Sequence, residues 1–115
     1  MIAILLMLAC SGTAKDTGSA PAAEVPPLDC AVEPDVTWDN WGHAHFTTQC
    51  QGCHASQTPN RYGAPAGIHF DTVDAVRAQK DRVYQRVLVD GTMPPAGGLT
   101  PDEKKLLEIL LACGI

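Results

Sequence analysis

The densest chemistry in the chain is carried by Cys50-Gln51-Gly52-Cys53-His54. Two thiols two residues apart can close a disulfide, bind a soft metal ion or be alkylated side by side. The imidazole that follows at once narrows these options. In Cys-x-x-Cys-His the thiols can add to the two vinyl groups on one edge of a porphyrin, and the histidine then lies against the iron. A zinc site draws four ligands, and no second Cys-x-x-Cys or His pair follows at zinc-finger spacing. A thioredoxin-like dithiol belongs to a βαβ pattern, which does not surround Cys50 and Cys53. Covalent haem attachment is the chemistry the motif favours. Zinc or a disulfide at the same two thiols is the competitor.

The length of 115 residues allows one domain with a small core. A domain of that size benefits from a staple, and a covalently held haem would also fill the interior. The formal charge is −5, and Lys and Arg are scattered without a basic stripe. That distribution excludes nucleic acid as an expected partner. An acidic surface, made more so by haem propionates, would favour a partner with a basic docking face.

Residues 2–9 form an uninterrupted apolar run that ends at Cys10. The run is far shorter than the ~20 residues of a membrane-spanning helix and fits the apolar part of a signal peptide. From residue 11 to about 35 the chain is mostly Gly, Ser, Thr, Ala and Pro. Such a composition does not bury enough apolar surface to fold, so residues 10–36 are expected to be a flexible linker. The twenty steps from Cys10 to Cys30 would give it an r.m.s. reach of ~25 Å as a coil.

The folded domain is expected over residues 37–115. Helical spacing puts Trp38, Trp41, His45 and Gln49 on one stripe with Phe46 beside it, directly before the thiols. His43 and His45 are expected on the surface of that helix. Residues 55–70 read as a loop punctuated by Pro59, Gly63, Pro65 and Gly67, with His69 as a structural residue near its end. Asp71 and Thr72 can cap a helix over residues 73–80. A second stretch, 81–89, pairs Val83 with Val87 and Tyr84 with Leu88 at i, i+4, and Gly91 ends it. Residues 92–98 contain Pro94, Pro95, Gly97 and Gly98 and are not helical. In the last helix Thr100 and Glu103 form a capping box, and Pro101 takes the first position. Leu106, Leu107, Leu110 and Leu111 are its expected buried face.

Residues 37–115 together resemble a small class I cytochrome c. Gly42, Phe46, Cys50, Cys53 and His54 match the family's Gly-x₃-aromatic-x₃-Cys-x₂-Cys-His pattern on its first helix. Met93-Pro94-Pro95 matches its late Met-Pro-Pro. The resemblance implies an all-α cytochrome c fold of three to five short helices around one covalent haem c, the first and last helices crossing. It implies that Gly42 permits the close crossing, that Phe46 packs there, and that His54 and Met93 are the axial iron ligands. Pro65 is implied as the residue whose carbonyl orients the His54 imidazole. Arg61 is a candidate donor to a haem propionate, with an ordinary solvent-exposed arginine as the alternative. The alternative for Met93 is an ordinary loop or core methionine, in which case His69 is the best substitute ligand. Leu110 stands where family members commonly carry Tyr or Trp, so the crossing must pack differently.

Ala9, Cys10 and Ser11 after the apolar run resemble a bacterial lipobox. This implies lipidation of Cys10 and a mature protein held at the periplasmic face of a membrane, the outer membrane being favoured. A generic signal peptide with an incidental cysteine is the alternative. One cysteine for lipid and two for haem leave Cys30 and Cys113 of the five. In an oxidising compartment these are expected to pair, the alternative being two free thiols. The implied function is a monomeric electron carrier that makes no bonds and so is not an enzyme. If Met93 does not bind iron, a haem enzyme or a gas or redox sensor with an open distal site is implied instead.

Overall fold

The computed structural model describes residues 23–115, so the expected signal segment and the lipidation site Cys10 lie outside the described residues. Among the described residues the structure is all-α, without a strand. Helix α1 opens with a π-helical turn, Trp38–Gly42, and continues as an α-helix over His43–Gln49. Thr37 begins it with a capping box, its hydroxyl accepting from Asn40 N at 3.1 Å while its own N–H donates to Asn40 Oδ1 at 2.7 Å. Helix α2, Val73–Ala78, is capped by the Thr72 hydroxyl, which accepts from Ala75 N at 3.2 Å. The chain breaks at Gln79, one residue before the expected boundary, and α3 runs as Lys80–Val83 and then as a π-helical stretch, Tyr84–Val89. Gly91, at φ 66°, follows it in the left-handed conformation that glycine adopts without strain.

Helix α4 spans Pro101–Ile109 and continues as a π-helical turn, Leu110–Gly114. Its expected start is present. Thr100 Oγ1 accepts from Glu103 N at 3.2 Å, and Thr100 N donates to a Glu103 carboxylate oxygen at 2.8 Å. Leu107, Ile109, Leu110 and Leu111 are buried, whereas Leu106 is only half-buried. Ile109 thus joins the expected face, and Leu106 lies at its edge.

Helices α1 and α4 meet where Gly42 lies against Leu110. A Cβ on Gly42 would stand 2.8 Å from a Leu110 methyl and 3.1 Å from the Trp38 ring. Phe46 is fully buried beside this contact, with its ring 5.7 Å from Trp38 and 5.4 Å from Phe70. A second close approach lies at the end of α4, where a Cβ on Gly114 would come 2.0 Å from the Val36 carbonyl oxygen.

That second approach involves a segment expected to be linker, and the expectation is corrected from residue 23 onward. Ala23 N donates to Gln85 Oε1 at 2.9 Å and Val25 N to Asp81 Oδ1 at 3.0 Å, both on α3. Val25 and Leu28 pack on the core, and Val36 is 6% exposed. Cys30 and Cys113 form a disulfide whose Cα atoms are 5.7 Å apart and 83 residues apart in sequence. In the chain-entropy account a loop of that length contributes ~4.5 kcal/mol. Residues 23–36 therefore form a strap across the ends of α3, α4 and α1. Its sparse apolar residues hold because backbone hydrogen bonds and a covalent bond do the rest.

His45 is another correction. It is 6% exposed, stacked on Trp41 at 4.3 Å and set edge-on to Phe46. Burial pushes its pKa down, partly offset by the nearby Glu103 carboxylate. The folded state thus favours neutral His45.

Two expectations follow from this packing. Gly114→Ala should destabilise by about 3 kcal/mol or more, because its Cβ meets backbone, and Gly42→Ala by only about 1–2, because a methyl can shift. Equal effects in chemical denaturation would contradict this ordering. A group with a lowered folded pKa contributes stability above its unfolded pKa and loses it as pH falls. Stability should therefore decline as pH drops below about 6.5, and His45→Phe should flatten that decline in pH-dependent melts.

Candidate functional site

Helix α1 delivers the motif. It ends where Cys50 N and Gln51 N both donate to Phe46 O, at 3.0 and 2.9 Å, so the buried Phe46 fixes the point at which the chain turns. The next turn is closed by His54 N, which donates to Cys50 O at 2.9 Å. Cys50 and Cys53 are free thiols on this one turn, both half-buried. Cys50 packs against the core, and burial pushes its pKa up to about 12. A redox-active dithiol needs the opposite shift, toward thiolate.

The returning segment, residues 68–70, laces onto the motif from one side. Phe70 N donates to His54 O at 2.8 Å, and Gln51 Nε2 donates to Phe70 O at 2.9 Å. The Phe70 ring lies 5.3 Å from the His54 ring. His54 Nδ1 faces Ile68 O at 3.3 Å. With Nδ1 as the donor, the lone pair belongs to Nε2, which has no hydrogen-bond partner among the described residues. An imidazole fixed in this tautomer beside two unbridged thiols suits a covalently held haem: Cys50 and Cys53 would hold the macrocycle and His54 Nε2 the iron.

Two expected roles are corrected here. Pro65 does not orient His54; its carbonyl accepts from Arg61 Nη2 at 2.7 Å and from Ile68 N at 3.0 Å, and Ile68 supplies the carbonyl that His54 faces. Arg61 does not stand free for a propionate. Its Nε donates to Ala64 O at 3.3 Å, Nη1 to Ala55 O at 2.6 Å, and Nη2 to both Pro65 O and Ile68 O at 2.7 Å. The arginine is an internal clamp for the 55–68 loop. A second tie closes the same loop, because Asp71 accepts from Ser56 N at 3.1 and 3.2 Å and also from the Ser56 hydroxyl. That hydroxyl holds the Asp71 carboxyl below its ordinary range, helped by the Ser56 N–H and the His69 and Arg61 charges, against a smaller opposing effect of desolvation. His69 Nδ1 makes no hydrogen bond and sits 3.7 Å from an Asp71 oxygen.

Met93 stands on the loop between α3 and α4. It is 37% exposed and lines a shallow cleft with Val87, Pro94, Leu99 and Lys104, in which neither the thiols nor His54 takes part. Thr92 N and Met93 N both donate to Arg86 O, at 2.9 and 3.1 Å, which ties the start of its loop to the end of α3. Zinc has less to work with. Among the described residues no three His, Cys, Asp or Glu side chains converge as metal ligands would.

The raised Cys50 pKa has a direct consequence for folded protein made without haem attachment. Cys50 should resist iodoacetamide at pH 8 until denaturant is added; rapid labelling of Cys50 in the native state would contradict its burial as a neutral thiol. Compared with family models, curated proteins and solved structures, the chain matches none, which leaves its chemistry to be judged from these contacts.

Proposed function

We propose that the chain is a monohaem c-type cytochrome, exported and lipid-anchored through Cys10, that passes single electrons between periplasmic or membrane redox partners. The observation that carries the proposal is the His54 imidazole, whose Nδ1 faces a carbonyl and whose Nε2 is unpartnered, directly after two unbridged thiols on one turn. When bound, the haem supplies a one-electron couple. The chain's own residues attach it, orient its ligand and keep water from one face of the site. Cys50 and Cys53 form the thioether links, and His54 and Met93 are the axial pair, the thioether sulfur favouring the reduced iron. The ties of Gln51 to Phe70, Phe70 to His54 and Ser56 to Asp71 hold the attachment turn still, so little rearrangement accompanies electron transfer. The net charge of −5 favours partners that present a basic face. No helix among the described residues is long and apolar enough to cross a membrane.

The second reading, a haem enzyme or gas sensor with an open distal position, follows if Met93 does not bind the iron. Absorption spectra of protein matured in a host that attaches c-type haem separate the two. The first reading predicts a low-spin ferric spectrum with a weak far-red band, lost in Met93→Ala. A high-spin ferric spectrum that changes on adding carbon monoxide, cyanide or peroxide would instead establish the open site.

A further inference from the structure

Arg61 is spent inside the protein in a way that its position in a surface loop does not suggest. A guanidinium has five N–H donors, and four of them are committed to the carbonyls of Ala55, Ala64, Pro65 and Ile68. These four carbonyls flank the whole 55–68 loop. One of them has a second partner. Ile68 O receives Arg61 Nη2 at 2.7 Å and faces His54 Nδ1 at 3.3 Å. The carbonyl oxygen has two lone pairs, so the arginine and the histidine together saturate it. The cation holds the closer place.

We propose that Arg61 is a positioning residue for His54: by fixing and polarising the Ile68 carbonyl, it sets the orientation and the donor strength of the imidazole. This rests on the reading of His54 as an iron ligand. The partners behind a ligating histidine fix its tautomer and tune its basicity, and hydrogen bonding behind an axial ligand is one means by which a protein sets a haem potential. A guanidinium is suited to the task because its planar fork reaches several carbonyls at once, which a lysine ammonium does not reproduce. The sign follows from the geometry. With the cation drawing on its electrons, Ile68 O accepts only weakly from Nδ1–H, and the imidazole keeps little anionic character. Without the cation the carbonyl accepts more strongly, the imidazole becomes a better donor, and oxidised iron is favoured. Loss of a positive charge near the site acts in the same direction.

The test uses the full chain matured with haem, as wild type, Arg61→Met and Arg61→Lys. Covalent haem is scored after denaturation, and the reduction potential is measured by spectroelectrochemical titration. Both variants should keep covalent haem, because the thioether residues are untouched. At a fixed ambient potential the ratio of reduced to oxidised protein should fall about tenfold in Arg61→Met, which is 59 mV for one electron. Arg61→Lys keeps the charge but not the fork and should fall by a smaller, still measurable factor. Unchanged potentials in both haem-loaded variants would overturn the role of Arg61 and leave the haem reading standing. Absence of covalent haem in the wild type would overturn both. Should the variants fail to fold, the unmodified ferrous protein decides: the His54 Nδ1–H and the Arg61 Nη2–H protons, both directed at Ile68 O, should exchange slowly by NMR, and fast exchange of either would overturn the proposal.

Discussion

The rest of the structure depends on the close crossing of α1 and α4. Gly42 carries no side chain where Leu110 is fully buried, so the Leu110 side chain packs directly against the α1 backbone. This contact fixes α1, and α1 fixes the site. Phe46, one turn further on and fully buried, accepts the backbone bonds from Cys50 and Gln51 that end the helix at the thiols. The strap of residues 23–36 reinforces the crossing from outside through Val36, Gly114 and the Cys30–Cys113 disulfide. Stability and site geometry are therefore one problem. A change at the crossing moves the thiols, although they lie on the far end of the helix.

The loop after the motif solves a different problem. Residues 55–68 contain few apolar side chains, and a loop of that length does not hold a shape by burial alone. It is held by polar ties instead, Arg61 to four carbonyls and Asp71 to Ser56. Charge-assisted bonds of this kind are stronger than neutral ones. They end at Ile68 and Asp71, on either side of Phe70, whose N–H donates to His54 O. The imidazole is thereby oriented from behind by the protein, while its other nitrogen is left free to act.

Features governed by short-range rules were legible in the sequence. The Thr100 and Glu103 capping box, Pro101, the Thr72 cap and Gly91 all depend on neighbours within a turn, and each stands where those rules put it. Features set by long-range contacts were not. Residues 23–36 have the composition of a linker, and nothing local announces that Ala23 and Val25 bond to α3. Ile109 joins the buried face and Leu106 falls to its edge, an offset set by what α4 packs against rather than by local spacing. His45 reads as a surface histidine until Trp41 is seen stacked on it. The carbonyl behind His54 belongs to Ile68 rather than Pro65, and a backbone oxygen leaves no mark on residue type. Arg61 looked available to an outside group because only the fold shows how many carbonyls surround it.

The central claim is that Cys50 and Cys53 bond covalently to one haem. The most direct measurement is the intact mass of denatured protein after production in a host that performs c-type attachment, for the wild type and for the Cys50→Ala, Cys53→Ala double variant. The account predicts that the wild type carries the added mass of one haem, retained in denaturant, and that the double variant carries none. A wild-type mass without haem, or with Cys50 and Cys53 joined as a disulfide, would contradict it.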